Sequence, residues 1–133
     1  MSQENIELVK RGYSAFARGD LQGVMDVLGP DLEMTDPFGF STTDTYQGHG
    51  GFIETVRDAL ESFERYEITA DDFIDAGDDV VVSVRINGIG RGSGAIVNMR
   101  VFHVWTIRDG KATIGRAFPT KEAAFQAAAP SNP

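Results

Sequence analysis

Asp36 stands directly before Pro37, at the end of the stretch Leu32-Glu33-Met34-Thr35-Asp36. Alternation along an extended chain puts it on one face with Leu32 and Met34. A carboxylate held among apolar side chains is desolvated, which raises its pKa and makes it a stronger base near neutral pH. Read structurally, the same residue is a strand-end Asp that caps a turn before the proline. Tyr13 offers a phenolic hydroxyl as a hydrogen-bond donor. Its structural alternative is a core aromatic with the hydroxyl at the rim. Proton transfer next to a carbonyl is the chemistry these two residues could share.

The remaining polar candidates are weaker. The histidines are His49 and His103, too far apart to show a metal-ligand spacing. His103 alternates with Phe102, and the expectation is that His103 and Trp105 lie on the outer side of a sheet, away from a cavity. His49 opens a helix in a Gly-rich segment, where a capping role suits it. Arg100 could hold an anionic group or neutralise Asp36; a cross-strand ion pair is the plainer outcome. Arg91-Gly92-Ser93-Gly94 lacks the lysine of a phosphate-binding loop and joins two strands, so it reads as a turn. Asp71, Asp72, Asp75, Asp78 and Asp79 lack the calcium-loop spacing and its closing Glu. They read as a solvated edge, and no metal site is expected.

The elements that must carry these residues follow from periodicity. Ile6, Val9, Tyr13 and Phe16 recur at three or four and share one face of a helix over 3–18. Gly19 suits the left-handed position after a helix end. Asp20 can then cap a second helix with Leu21, Val24, Met25 and Leu28 inward, stopped by Gly29-Pro30. A short strand over 31–36 leads into a loop over 37–50, and loops of that length are often functional. A third helix over about 50–64 turns Phe52, Ile53, Val56, Leu60 and Phe63 inward. A meander follows: a strand over 66–76 bent near Asp71-Asp72, strands over 80–89 and 95–108, the two-residue hairpin Asp109-Gly110, and a strand over 111–118. Thr120 caps a short Ala-rich helix to about Ala128, and residues 129–133 read as a frayed tail.

This order gives one α+β domain over 1–133: a curved antiparallel sheet, about three N-terminal helices enclosing a cavity, and a short C-terminal helix. The 133 residues suffice for a buried core. The chain has no Cys, which removes disulfides, thiol nucleophiles and thiolate metal sites. A net charge of −8 opposes binding to phosphate backbones, so no nucleic-acid partner is expected. MSQENIELVK has neither the basic nor the apolar region of a signal peptide, and no apolar run reaches membrane-spanning length. A cytoplasmic chain with no membrane partner is the expectation.

Gly19-Asp20-Leu21-Gln22-Gly23, the run Asp31 to Pro37, Tyr46-Gln47-Gly48-His49-Gly50 and Phe102 to Lys111 carry a resemblance over nearly the whole chain. In that order and spacing they resemble the SnoaL-like/NTF2-like superfamily, which shares its cone-shaped fold with ketosteroid isomerase. The resemblance implies a general base at Asp36, where ketosteroid isomerase has an Asp just before Pro. That enzyme's oxyanion donors, a Tyr on the first helix and an Asp on a late strand, would fall on Gly12, with Tyr13 beside it, and on Phe102. Both donors are therefore expected to be absent, and losing one alone commonly costs roughly a hundredfold in rate. The limonene epoxide hydrolase pattern lacks a carboxylate partner for Arg100. SnoaL-like cyclases, which use one Asp, are the better match.

The resulting expectation is a cofactor-free isomerase, cyclase or lyase acting on a small apolar carbonyl compound of polyketide, terpenoid or steroid type. Asp36 and Tyr13 would be catalytic. Phe16, Met34, Phe38, Phe52, Val56, Val84, Arg100 and Phe102 would line the ligand site. A non-catalytic ligand-binding or dimerisation module is the alternative. A homodimer is expected through the outer sheet face, with Val101, Trp105 and Ile107 in the contact.

Overall fold

In the computed structural model, which describes residues 2–36 and 44–128, the chain begins with helix α1, Ser2–Ala17. Its period of three to four buries Leu8, Val9 and Ala15 and lays Ile6, Tyr13 and Phe16 against the core. Gly19, at φ 75°, turns the chain out of α1. Asp20 then caps α2, Leu21–Val27, by accepting a 2.9 Å bond from the Gly23 amide. The predicted stop at Gly29-Pro30 is not a stop. The helix ends at Val27, and strand β1 runs Leu28–Thr35 straight through Gly29 and Pro30.

A short strand β2, Thr45–Gln47, pairs antiparallel with β1 inside the segment predicted to be loop. Helix α3 spans Gly48–Ser62 and buries Gly51, Phe52, Thr55 and Ala59. Leu60, predicted to face inward, is instead 62% exposed. The meander is β3 (Phe63–Ala76), β4 (Asp79–Gly90), β5 (Ile96–Arg108) and β6 (Lys111–Phe118), followed by α4, Lys121–Ala128. Asp109 and Gly110 both take positive φ, 52° and 74°, as a two-residue hairpin turn requires. The Ala123 amide donates to Thr120 Oγ1 at 3.1 Å, the predicted cap of α4.

The six strands form one sheet in the order β2-β1-β6-β5-β4-β3. The meander is antiparallel as predicted, but β1 and β6 pair parallel, so the sheet is mixed. Register shifts between Ala70 and Asp72 and between Thr106 and Ile107 bend and twist it. The first is the bend read near Asp71-Asp72.

Both faces of the sheet are covered where β4 and β5 cross its middle. Val80, Val82, Val84 and Ile86 face the helices α1 to α3, while Val81 and Val104 pack on the other face under Ala124 and Ala128 of α4. Covering both faces explains the unbroken apolar run Val80–Val82. Among the described residues no helix is long and apolar enough to cross a membrane.

Candidate functional site

Leu8, Val9 and Phe16 of α1, Val24 and Val27 of α2, Met34 of β1, and Phe52, Val56 and Ala59 of α3 enclose a cavity against the concave side of the sheet. Its volume is about 130 Å³. That is the scale of the roughly 150 Å³ apolar void that admits benzene. Most of the wall is hydrocarbon, so a polar group in it stands out.

Three such groups meet on the sheet side. Trp105 Nε1–H donates to Tyr13 Oη at 2.8 Å, and Tyr13 Oη lies 2.5 Å from His103 Nδ1. The Tyr13 and His103 rings stack with centroids 6.0 Å apart at 22°, and His103 meets Trp105 edge-on at 6.3 Å. Phe73 contacts the Tyr13 ring edge-on at 5.9 Å. Burial pushes the His103 pKa down to about 4, so the ring is neutral at pH 7. Burial also raises the Tyr13 pKa well above its ordinary value, against the opposing pull of the Trp105 hydrogen bond, so Tyr13 keeps its proton. His103 Nε2 is buried and has no hydrogen-bond partner among the described residues.

The expected site residues separate into groups. Tyr13, Phe16, Met34, Phe52 and Val56 line the cavity together. Val84 is fully buried in the core on the same side of the sheet but is not part of the wall. Phe38 lies outside the described residues. Arg100 and Phe102 are on the opposite face. Phe102 packs with Phe118 and Phe125 around α4. Arg100 makes the cross-strand pair, 3.0 Å from Asp71, and that hydrogen bond holds the Asp71 carboxyl below its usual range. Arg100 is therefore engaged with Asp71 and not with Asp36.

Asp36 follows β1 at φ 50°, an uncommon conformation for any residue but Gly, and its amide donates to the Asp44 carbonyl at 2.8 Å. It is half-buried and is not among the residues walling the cavity. Register places it nonetheless. Thr35 is level with Arg116, and the next residue of β6, Ala117, is level with His103. Asp36 thus stands about two strand spacings, roughly 10 Å, from His103.

The placement of His103 and Trp105 corrects the sequence reading. Both face the cavity, and Val101 and Ile107 are buried in the core on the same side of the sheet, not available for a dimer contact. The reason is that alternation along β5 is regular but does not say which set faces in: Phe102 and Val104 are covered by α4, which leaves Val101, His103, Trp105 and Ile107 on the side of α1. His103 therefore puts a polar group on the inner face of β5 where none was expected, beside the hydroxyl that Tyr13 was expected to offer. His49 is structural, with Nε2 donating to the Leu28 carbonyl at 2.9 Å. Among the described residues no cluster of three or more His, Asp or Glu could hold a metal ion.

Residues 9–114 match the SnoaL-like domain. The chain belongs to the SnoaL-like family. Its fold is the NTF2-like cone also found in ketosteroid isomerase-like proteins. An NTF2-like protein from Burkholderia thailandensis is similar at 30% identity and TM-score 0.78, over 94% of this chain and 97% of that one. An NTF2-like protein of unknown function from Burkholderia pseudomallei is similar at 27% and 0.77, over 92% and 95%. TerC, crystallised with polyporic acid, is similar at 26% and 0.75, over 94% and 98%. No curated protein matches in sequence. For this SnoaL-like chain the family supports small-molecule binding, with isomerase or cyclase chemistry as the activity to test.

Proposed function

We propose that this SnoaL-like chain binds a compact, mostly apolar carbonyl compound in its cone and carries out cofactor-free acid–base chemistry on it, of the isomerase or cyclase kind. The observation that carries the reading is a hydrogen-bonded Trp105–Tyr13–His103 cluster in a cavity whose wall is mostly hydrocarbon. An apolar pocket with a few convergent polar groups and perturbed pKa values is the usual form of a small-molecule site. The volume suits a one-ring compound better than a steroid. That a chain 26% identical was crystallised with polyporic acid supports a small-molecule ligand.

In this reading Asp36 is the base that takes a proton beside the carbonyl, and His103, backed by Tyr13, holds the polar end of the ligand. The left-handed backbone at Asp36 supports a functional place for it, because such conformations are costly and gather at working sites. Two assays test the proposal together. A ligand at a hundred times its dissociation constant adds about 2.7 kcal/mol, which raises the melting temperature by several degrees. Cyclohexanone and cyclohexenone are expected to do so. Proton NMR in D2O is expected to show protein-dependent exchange beside the carbonyl, slowed at least about tenfold by Asp36→Asn. No melting shift with any cyclic ketone would sink the reading.

A second reading, a non-catalytic binding module, is favoured by one observation: no carboxylate lines the cavity among the described residues. Melting shifts without any exchange would select it. Under either reading Arg100→Gln is expected to leave the ketone-induced shift unchanged, because Arg100 lies across the sheet and pairs with Asp71. A lost shift would put the guanidinium in the binding path.

A further inference from the structure

The polar cluster can present either a donor or an acceptor to a ligand, depending on which nitrogen of neutral His103 carries the hydrogen. Trp105 settles part of the question. An indole N–H is a donor only, so it must occupy a lone pair of Tyr13 Oη. The hydroxyl has one hydrogen, and His103 Nδ1 is the partner within reach. If Tyr13 donates to Nδ1, the imidazole hydrogen sits on Nε2 and only that N–H is left unmatched. If Nδ1–H donates to Tyr13 instead, the Tyr13 hydrogen and the Nε2 lone pair are both left unmatched in an apolar wall. The first arrangement strands one group and the second strands two, so the first is favoured.

Gly115 holds the third member in place. It is level with Trp105 on the neighbouring strand, and a Cβ at Gly115 would lie 2.5 Å from Trp105 Cζ3 and 2.9 Å from Cε3 and Cη2. The indole therefore lies flat on the β6 backbone at a point that only Gly leaves open. From there its N–H reaches Tyr13.

We infer that Trp105, seated on Gly115, and Tyr13 hold His103 as the Nε2–H tautomer, so that the cluster offers a ligand an N–H donor and, with the Nε of Arg116 in the same wall, buried and unpartnered among the described residues, selects a hydrogen-bond acceptor. The ligand half of this rests on the cavity being the binding site; the tautomer half does not. A ketone, enone or lactone oxygen satisfies Nε2–H and leaves nothing over. The matching alcohol brings a hydrogen that neither His103 Nε2–H nor the Arg116 guanidinium can accept, and the matching hydrocarbon leaves Nε2–H bare. Tyr13 and Trp105 act here as positioning residues and His103 as the selecting one.

Nitrogen-15 NMR of the histidine rings at pH 7, without ligand, tests the tautomer directly, and His49 supplies an internal reference. In the wild type, His103 is expected to show a protonated Nε2 and a bare Nδ1. Tyr13→Phe is expected to move the two His103 nitrogen shifts toward one another, as the tautomers mix, with those of His49 unmoved. Trp105→Phe is expected to move them the same way by less. A merely structural role for Tyr13 would lower the melting temperature without touching the shifts. A protonated Nδ1 in the wild type, or His103 shifts unmoved in Tyr13→Phe, would overturn the relay. For the ligand half, cyclohexanone is expected to bind about tenfold tighter than cyclohexanol in the wild type, with the preference lost in Tyr13→Phe. Equal binding in the wild type would overturn the selection. If neither compound binds while the tautomer is as stated, the cavity reading fails and the relay stands.

Discussion

Between pH 6.5 and about 4 the wild-type chain is expected to lose about 3 kcal/mol of folding stability that a His103→Phe variant keeps. Unfolded, His103 takes a proton at its ordinary pKa of 6.5; folded, burial holds it neutral down to about 4. Above 6.5 neither form binds the proton and this group contributes no pH dependence. Within the window the unfolded form binds a proton that the folded form refuses, so stability falls as pH falls. Below about 4 both forms are protonated and the loss is complete. His103 is only 8% exposed, so solvent screening does little to reduce the effect.

Urea unfolding of both proteins at several pH values between 7 and 4 measures the difference. Carboxylates such as Asp71 contribute equally to both curves and cancel. His103→Phe also strands the Tyr13 hydroxyl and lowers stability at every pH, so the readout is the slope and not the level. Parallel curves would mean that His103 ionises as freely folded as unfolded.

Leu32→Ala is expected to cost about 3 kcal/mol and lower the melting temperature by about 10 °C. Leu32 is fully enclosed, and removing its branched end leaves a void that close-packed neighbours fill only in part. Leu60→Ala, the same chemical change, is expected to stay within about 0.5 kcal/mol, because Leu60 is 62% exposed. Thermal melts of the two variants side by side check both. A cost of under about 1 kcal/mol at Leu32 would mean that the core there relaxes freely. The pair matters because the apolar pattern marked both leucines as inward.

Features that depend on neighbours along the chain were legible without coordinates. The α1 face of Ile6, Val9, Tyr13 and Phe16, Gly19 after the helix, Asp20 as cap, the Asp109-Gly110 hairpin and the Thr120 cap are all local: each is set by a few residues and the backbone angles or hydrogen bonds they favour. The family resemblance, and with it the cone, rested on the local segments Gly19 to Gly23, Asp31 to Pro37, Tyr46 to Gly50 and Phe102 to Lys111. Leu60 shows the limit of periodicity, since an apolar residue at helical spacing faces the core only where another element is there to meet it.

The interior of the site depended on contacts between distant parts of the chain. Along β5 both alternating sets contain large apolar residues, Val101, Trp105 and Ile107 on one face and Phe102 and Val104 on the other. Alternation cannot choose between two apolar faces. Arrival of α4 on one face and of α1 on the other makes that choice. The parallel pairing of β1 with β6 and the one-hydrogen link between Tyr13 and His103, 90 residues apart, arise in the same manner. Local energies fixed which segments became helix, turn and strand. The identity of the polar group facing the cavity was fixed by which surfaces remained to be buried once those segments met.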